Sequence, residues 1–306
     1  MRENDRVTSA TRHPETPASP QLSTEPPGTP LVPPRLIATD LDGTLLRDDK
    51  SVSPRTVAAL AAAEEAGIEV FFVTGRPARW MSVVSDHVHG HGLAICGNGA
   101  AVVDLHGGPG AHRFVKVRAL AQDNALDAVR LLREAAPGTV YAVEQTYGFH
   151  QEPDYPELHM ERPDTLAPAE ELLADGGPGT TEPVLKILAY HRELDPDAFL
   201  TLARLAVGER ATVTRSSPSA LLELSGPGVS KASTLELCCA ERGISREEVV
   251  AFGDMPNDVE MLTWAGRSYA MGNAHPAAVA AASGRTTANN EDGVAAVIES
   301  LLDEHR

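Results

Sequence analysis

Residues 36–44 read Leu-Ile-Ala-Thr-Asp-Leu-Asp-Gly-Thr, a short apolar run followed by two aspartates, a glycine and a threonine. The run Leu36–Thr39 predicts a buried strand, and the polar residues after it predict a loop at its carboxyl end. In open α/β sheets, ligands bind at the carboxyl ends of the strands. Asp40 and Asp42 are therefore candidate functional residues, although an Asp-Gly pair after a strand is commonly only a turn.

The alternation of strand and helix continues beyond this loop. Ser53-Pro54 predicts a helix start, and the run Ile68–Val73 predicts a second strand that ends at Thr74-Gly75-Arg76. A helix over about residues 77–87 and a third strand at Leu93–Cys96 follow. Strand, helix, strand, helix, strand is the order typical of a parallel sheet with crossover helices.

The pattern changes between residues 101 and 224, where hairpin-like strands and a Gly-rich stretch replace the alternation, and it returns afterwards. We therefore predict an α/β fold with a doubly wound, mostly parallel sheet. Its core is expected to be discontinuous and to comprise residues 35–100 and 225–306. Residues 101–224 are expected to form an inserted α+β cap domain.

The composition excludes several classes of function. The chain has 306 residues, 42% of them hydrophobic, and 43 acidic against 26 basic residues give a net charge of −17. Such a surface repels phosphate backbones and anionic lipids, so we predict no nucleic-acid partner and no membrane partner. No stretch approaches the roughly 18 apolar residues of a membrane span. The three cysteines show no CxxC spacing, which favours a reduced, cytoplasmic location.

The first 34 residues differ from the rest of the chain. They hold eight of the 23 prolines and few large aliphatic side chains, so we expect a disordered tail over residues 1–34. The charged start of this segment is followed by no apolar stretch of the kind found in secretory signals.

Four polar segments are placed where a ligand of a parallel sheet would bind: Asp40–Thr44, Thr74–Arg76, Lys231 at a helix start, and Gly253–Asp258 after an apolar strand. Because the strand ends lie side by side, we expect the carboxylates to converge. Several carboxylates in one small cavity require a counter-charge, since each raises the pKa of its neighbours. A hard divalent cation with oxygen ligands, Mg²⁺, suits this set.

These four segments resemble the motifs of the haloacid dehalogenase (HAD) superfamily, and the insert is similar to the type IIB α/β cap of Cof-type hydrolases. The likeness covers about residues 36–304, including Cys96-Gly97-Asn98-Gly99 before the insert and Gly228-Val229-Ser230-Lys231 after it. It implies an Mg²⁺-dependent phosphatase that removes phosphate from small phosphorylated metabolites such as sugar phosphates. Within the cap, no motif specifies the metabolite, and no sequence feature specifies an oligomeric state.

The proposed chemistry distributes roles among the motif residues. Asp40 can attack phosphorus and form an aspartyl-phosphate, and Asp42, two residues on, can act first as general acid and then as general base. Lys231 would stabilise the charge on Asp40 and on the phosphoryl group. The expected phosphate-binding groups belong to Thr74, Gly75 and Asn257. The resemblance implies that the metal is held by the side chains of Asp40 and Asp254 and the backbone carbonyl of Asp42, and that Asp258 orients Lys231.

Two other functions are consistent with Asp40 as a phosphorylated residue. A phosphomutase would return the phosphoryl group to another hydroxyl of the substrate, and a signalling or binding module would be phosphorylated without turnover. A cap this long and rich in strands argues against both. The alternating His87, His89 and His91 are interpreted as part of an exposed loop and not as a metal cluster. Arg76 and Arg79 are interpreted as helix-face residues or cap contacts and not as catalytic groups.

Overall fold

The structure, a computed structural model, describes residues 32–85, 92–106, 112–158 and 162–304. Residues 1–31, which make up most of the expected tail, and the three alternating histidines at 87, 89 and 91 lie outside these ranges.

Within the described ranges, the strands are β1 Leu36–Thr39, β2 Glu69–Val73, β3 Leu93–Cys96, β4 Ala101–Asp104, β5 Arg113–Val117, β6 Val140–Gln145, β7 Phe149–Gln151, β8 Thr165–Leu166, β9 Val184–Tyr190, β10 Thr212–Thr214, β11 Leu221–Ser225, β12 Val249–Gly253, β13 Arg267–Ala270 and β14 Gly284–Arg285. The helices are α1 Pro54–Glu65, α2 Ser82–Ser85, α3 Gln122–Ala135, α4 Ala169–Leu172, α5 Pro196–Val207, α6 Lys231–Arg242, α7 Val259–Trp264, α8 Pro276–Ala281 and α9 Gly293–Glu304. None of the helices in these ranges is both long and apolar enough to span a membrane.

The larger sheet has eight strands in the order β14-β13-β12-β1-β2-β3-β4-β5. Strand β1 lies at its centre and pairs in parallel with β2 and β12, so that Leu36 is opposite both Glu69 and Val249. Side chains of α1 and α9 pack with one face of the sheet, and those of α6, α7 and α8 pack with the other. Helices on both faces of a mostly parallel sheet confirm the doubly wound α/β fold.

The smaller sheet has the order β10-β11-β9-β6-β7-β8, and its strands are antiparallel except for the pair β7–β8. One face packs its apolar side chains, such as Val143 and Ile187, against α3 and α5. Because side chains alternate along a strand, the neighbouring Glu144 and Lys186 point to the opposite face. These two residues are opposite each other in the β6–β9 pair. The insert is therefore an α+β cap with an apolar face and a charged face.

The hairpin β4–β5 belongs to the larger sheet. Strand β4 pairs antiparallel with β3, with Ala101 opposite Cys96, and β5 pairs with β4 at the edge. The change in sequence pattern at residue 101 marks a reversal of strand direction within the core sheet, because a short turn after β3 returns the chain beside it. The expected cap range of 101–224 thus includes two strands of the core sheet. We place the cap between the end of β5 and the start of α6.

Candidate active site

A cavity of about 500 Å³ lies between the two sheets. The core sheet contributes loops that follow β1, β2 and β12, and the cap contributes its charged face. These loops meet because their strands are parallel neighbours, so that their carboxyl ends share one edge. The residues lining the cavity include Asp40, Asp42, Thr74, Gly75, Asp254 and Asn257 from the core and Glu144, Lys186 and Glu223 from the cap. Thus the sequence-predicted residues at the strand ends are brought together.

The loop after β1 depends on a glycine at position 43. Gly43 has φ +76°, and a Cβ atom there would lie 2.3 Å from Oδ2 of Asp254. Any side chain would therefore both strain the backbone and displace Asp254. The adjacent Thr44 donates a hydrogen bond of 2.9 Å from its hydroxyl to Oδ1 of Asp254. The Asp-Gly-Thr sequence thus allows the loop after β1 to contact the loop after β12 closely.

Lys231 is fully buried between two carboxylates. Its Nζ lies 2.8 Å from Oδ1 of Asp40 and 2.7 Å from Oδ1 of Asp258. Burial lowers the pKa of Lys231, but the charges of Asp258 and Asp40 outweigh it and hold the pKa above its usual range. Burial raises the pKa of Asp40 well above its ordinary value, although the ammonium of Lys231 opposes the rise. The buried ammonium therefore holds the carboxylate of Asp40 in place.

Asp258 is anchored at both of its oxygens. Oδ1 accepts from Lys231, while Oδ2 accepts from the backbone N–H groups of Asp254 and Met255, each at 3.0 Å. The residue thereby connects the loop after β12 to the start of α6, where Ser230 caps the helix. These contacts fit the expected role of Asp258 in orienting Lys231, which stays a prediction.

Carboxylate oxygens of Asp40, Asp254 and Asp258 all lie within 4.8 Å of one another. Three carboxylates against the single ammonium of Lys231 leave an excess of two negative charges when all four groups are ionised. Burial, followed by the charge of Asp258, raises the pKa of Asp254 to about 7. Since Asp258 already uses both oxygens, Asp40 and Asp254 are the side chains that fit a divalent cation.

The carboxylate of Asp42 is not part of this cluster. Arg76 binds it through two hydrogen bonds of 2.6 and 2.7 Å, and Nζ of Lys50 donates a third of 2.8 Å. Burial would raise the pKa of Asp42, but the hydrogen bonds from Arg76 and Lys50 lower it to about 2. Asp42 is thus held ionised, the form required of a general base, and its expected first role as general acid requires that it takes up a proton once the bonds from Arg76 and Lys50 are released. The sequence predicts Arg76 as a helix-face residue or a cap contact, but the structure places it outside any helix, with its guanidinium bound to Asp42 of the core.

Charged residues of the cap were also missed by the sequence analysis. Glu144 forms an ion pair with Arg79, and Lys186 lies 3.2 Å from Glu223. The contact between Arg79 and Glu144 agrees with the interpretation of Arg79 as a cap contact. Lys186 and Glu223 each interrupt an otherwise apolar strand, in Val-Leu-Lys-Ile-Leu and Leu-Leu-Glu-Leu. A charged residue in a buried strand requires a partner of opposite charge. A single charge within an apolar run is therefore the sequence signal that could have identified Lys186 and Glu223.

Comparison with known proteins identifies the family to which the chain belongs. A family model for haloacid dehalogenase-like hydrolases matches residues 37–298, so the chain belongs to this family of hydrolases. It is 30% identical over 281 residues to the pyridoxal phosphate phosphatase YbhA of Escherichia coli, covering 88% of this chain and 98% of that protein. It is 29% identical over 276 residues to the 5-amino-6-(5-phospho-D-ribitylamino)uracil phosphatase YitU of Bacillus subtilis, with the same two coverages.

The fold also resembles that of a solved structure, the HAD subclass IIB sugar phosphatase BT4131. The TM-score is 0.71 over 87% of this chain and 98% of that chain, at 22% sequence identity. At this identity the likeness concerns the fold alone, and it agrees with the arrangement of a doubly wound core and an inserted α+β cap.

Proposed function

We propose that this protein is a phosphatase of small phosphorylated metabolites that works through an aspartyl-phosphate on Asp40. The observation that carries the proposal is the burial of Asp40 against Lys231 at the base of a cavity closed by a charged cap sheet. A buried carboxylate with an oxygen facing a substrate cavity is an effective nucleophile toward phosphorus because it has little hydration to lose. The phosphatase relatives support the same reaction.

Each remaining residue has a role that its contacts permit. Lys231 would offset the charge that develops on Asp40 and the transferred phosphoryl group. The hydroxyl of Thr74 and the N–H of Gly75 would donate to the phosphate oxygens. Asn257 donates from Nδ2 to Oδ1 of Asn98 at 3.0 Å, and its own Oδ1 is buried without a partner among the described residues. That oxygen can accept a hydrogen bond from a substrate hydroxyl or from water, beside the bound phosphate.

Asp40, Asp254 and the backbone carbonyl of Asp42 would hold Mg²⁺. When bound, the ion supplies positive charge that reduces the repulsion between the anionic nucleophile and the anionic substrate. When Asp40, Asp254 and Asp258 are all ionised, the two excess negative charges around Lys231 favour a divalent cation over a monovalent one.

Phosphate release tests the function directly. Purified protein is incubated with Mg²⁺ and a panel of phosphorylated metabolites that includes pyridoxal phosphate and 5-amino-6-(5-phospho-D-ribitylamino)uracil, and substrates are ranked by kcat/KM. We expect multiple turnovers on at least one of them. Labelling that stops at one phosphate per chain would indicate a signalling module, and an isomeric phosphorylated product would indicate a phosphomutase. Either result contradicts the proposal.

The variant Asp42→Asn tests the general acid. For an alkyl phosphate we expect kcat/KM to fall by about 10² to 10⁴-fold, because the alkoxide leaves only with a proton. For p-nitrophenyl phosphate the loss should be much smaller, since its phenolate is a good leaving group without protonation. The measurement is the ratio of the loss in kcat/KM on the alkyl phosphate to the loss on p-nitrophenyl phosphate. The control is Asp123→Asn, the same change at an exposed position on α3. Equal losses on both substrates would exclude proton donation by Asp42.

The response of stability to Mg²⁺ should depend on pH. The pKa of Asp254 is raised from its ordinary value of 3.8 to about 7 by burial. Its protonated form therefore stabilises the metal-free protein at low pH, and this contribution is lost as the pH rises through about 7. Mg²⁺ requires the ionised form, so the increase in Tm on adding Mg²⁺ should be larger at about pH 8 than at about pH 5.5.

The variant Asp254→Asn checks this interpretation by differential scanning fluorimetry. We expect it to lose most of the Mg²⁺ response at both pH values, while Asp123→Asn keeps the response of the unchanged protein. A Tm increase independent of pH, or one retained in Asp254→Asn, would contradict metal binding at this residue.

A further inference from the structure

The Thr74–Arg76 loop is held by hydrogen bonds at both peptide groups that flank Gly75. The carbonyl of Thr74 accepts from the N–H of Asn98 at 3.0 Å. The carbonyl of Gly75 accepts from Nζ of Lys186 at 2.7 Å, and the N–H of the same peptide unit, that of Arg76, donates to the Thr74 hydroxyl at 3.1 Å. The orientation of both peptide planes is therefore determined by groups outside the loop backbone.

This arrangement decides where the N–H of Gly75 points. In a trans peptide the N–H is directed opposite to the carbonyl of the preceding residue. The Thr74 carbonyl is directed at Asn98, so the Gly75 N–H is directed away from Asn98. Among the described residues this N–H has no hydrogen-bond acceptor. It is thus available to a bound phosphate oxygen in the cavity that Gly75 lines.

Two of the controlling residues belong to the cap. Lys186 on β9 and Glu223 on β11 form an ion pair of 3.2 Å, and their side chains are only 4% and 5% exposed. Glu223 accepts through one oxygen from Lys186 and from the hydroxyl of Ser216, at 3.0 Å for the latter, and through the other from Nδ2 of Asn98. One cap carboxylate therefore orients both the lysine that holds Gly75 and the asparagine that holds Thr74.

Asn98 connects this cap contact to Asn257, a second residue expected at the phosphate site. It adopts a left-handed backbone conformation with φ +55°, and its Oδ1 accepts from Nδ2 of Asn257 at 3.0 Å. A Cβ on Gly75 would lie 3.2 Å from the same Oδ1 and 3.3 Å from an oxygen of Glu223. The absence of a side chain at position 75 lets the loop approach these residues closely.

We propose that Glu223 and Lys186 are positioning residues that orient the phosphate-binding loop from the cap, so that the phosphate site is complete only while the cap sheet is seated on the core. The proposal deepens the proposed function and rests on it. It assigns to the cap a part in binding the phosphate group, which every substrate shares, in addition to any contact with the leaving group. Breaking either residue's contacts should therefore weaken catalysis by the same factor on all substrates.

The test uses the full chain and the variants Glu223→Ala and Lys186→Met, with Glu223→Gln and Lys186→Arg as conservative changes. Readouts are kcat/KM for p-nitrophenyl phosphate and for the best metabolite, and the inhibition constant of inorganic phosphate, which has no leaving group. We expect both kcat/KM values to fall by a common factor of about 10 to 100 and phosphate inhibition to weaken by at least about tenfold. Partial recovery is expected in the conservative variants, because each restores one hydrogen bond.

Two further variants separate positioning from general stability. Asp127→Asn removes another charge of the cap, which pairs with Arg210 at 3.1 Å on the protein surface, and should leave phosphate inhibition unchanged. The double variant Lys186→Met/Glu223→Leu replaces the buried pair with apolar side chains of similar size, a change that is commonly tolerated in stability. We expect this double variant to fold, but to bind inorganic phosphate more weakly than the unchanged protein.

Two results would overturn the positioning role in an active enzyme. One is a loss confined to the metabolite with unchanged phosphate inhibition, which would make the pair a leaving-group contact. The other is a lowered Tm with unchanged kinetics of the folded enzyme, which would make it purely structural. If the unchanged chain hydrolyses no phosphate monoester, the proposed function fails as well, so the two failures are distinguishable.

Discussion

Replacing Asp40 by Asn is expected to reduce phosphate release by at least about 10³-fold, the scale of loss when a covalent nucleophile is removed. In the unchanged protein, Nζ of Lys231 lies 2.8 Å from Oδ1 of Asp40. Asparagine keeps the size of the side chain and an oxygen that can accept a hydrogen bond from Lys231. It cannot, however, form the mixed anhydride with phosphorus. Activity under saturating substrate and Mg²⁺ measures the effect.

The covalent step has its own readout. Acid quenching during turnover should trap a protein that is heavier by one phosphoryl group, detectable by mass spectrometry, and this species should be missing in Asp40→Asn. Asp123→Asn, the same chemical change at an exposed position, should behave as the unchanged protein. Wild-type turnover in Asp40→Asn, or a phosphoryl group on another residue, would refute the nucleophile assignment.

Replacing Lys231 by Met is expected to damage both stability and activity. The ammonium is the partner of Asp40 and Asp258, and without it these buried carboxylates have lost their nearest counter-charge. Breaking a buried ion pair by removing one partner costs about 3 to 5 kcal/mol of folding free energy. The loss of charge stabilisation at the reacting phosphoryl group should lower kcat by about 10² to 10³-fold.

Chemical denaturation and steady-state kinetics on the same sample separate these effects. Mg²⁺ should recover part of the lost stability in Lys231→Met, because the ion reduces the same carboxylate repulsion. Lys116→Met is the matched control, since Lys116 pairs with Glu241 on the protein surface and a surface pair contributes little. A Lys231→Met protein as stable and as active as the unchanged chain would disprove the assigned role of the lysine.

Much of the site could be predicted from the sequence because it lies at the ends of strands. Asp40, Thr74 and Asp254 each follow an apolar run, and the structure pairs those runs as β12, β1 and β2 in one parallel sheet. Adjacent parallel strands bring their carboxyl ends together regardless of how far apart they are in the chain. The doubly wound fold was correctly predicted on the same grounds, since alternating strands and helices permit few other arrangements.

The hairpin β4–β5 shows that the sequence pattern of a hairpin does not determine which sheet the hairpin joins. Its residues predicted two paired strands correctly, but the pattern of a hairpin is the same whether it begins a new sheet or extends an existing one. The backbone hydrogen bonds between β3 and β4 place the hairpin in the core sheet. The residues of these strands do not indicate which strand they will pair with.

By itself, the sequence determined the fold class, the strand-end position of the catalytic candidates and their chemical types, because these follow from local periodicity and residue identity. Only the tertiary structure decided the state and the partners of the charged groups. Asp42 is held ionised by Arg76, 34 positions away, and Gly75 is held by Lys186, 111 positions away. The first contact joins two loops of the core sheet and the second joins the cap to the core. Both depend on tertiary packing and burial, which set an electrostatic environment that no local pattern encodes.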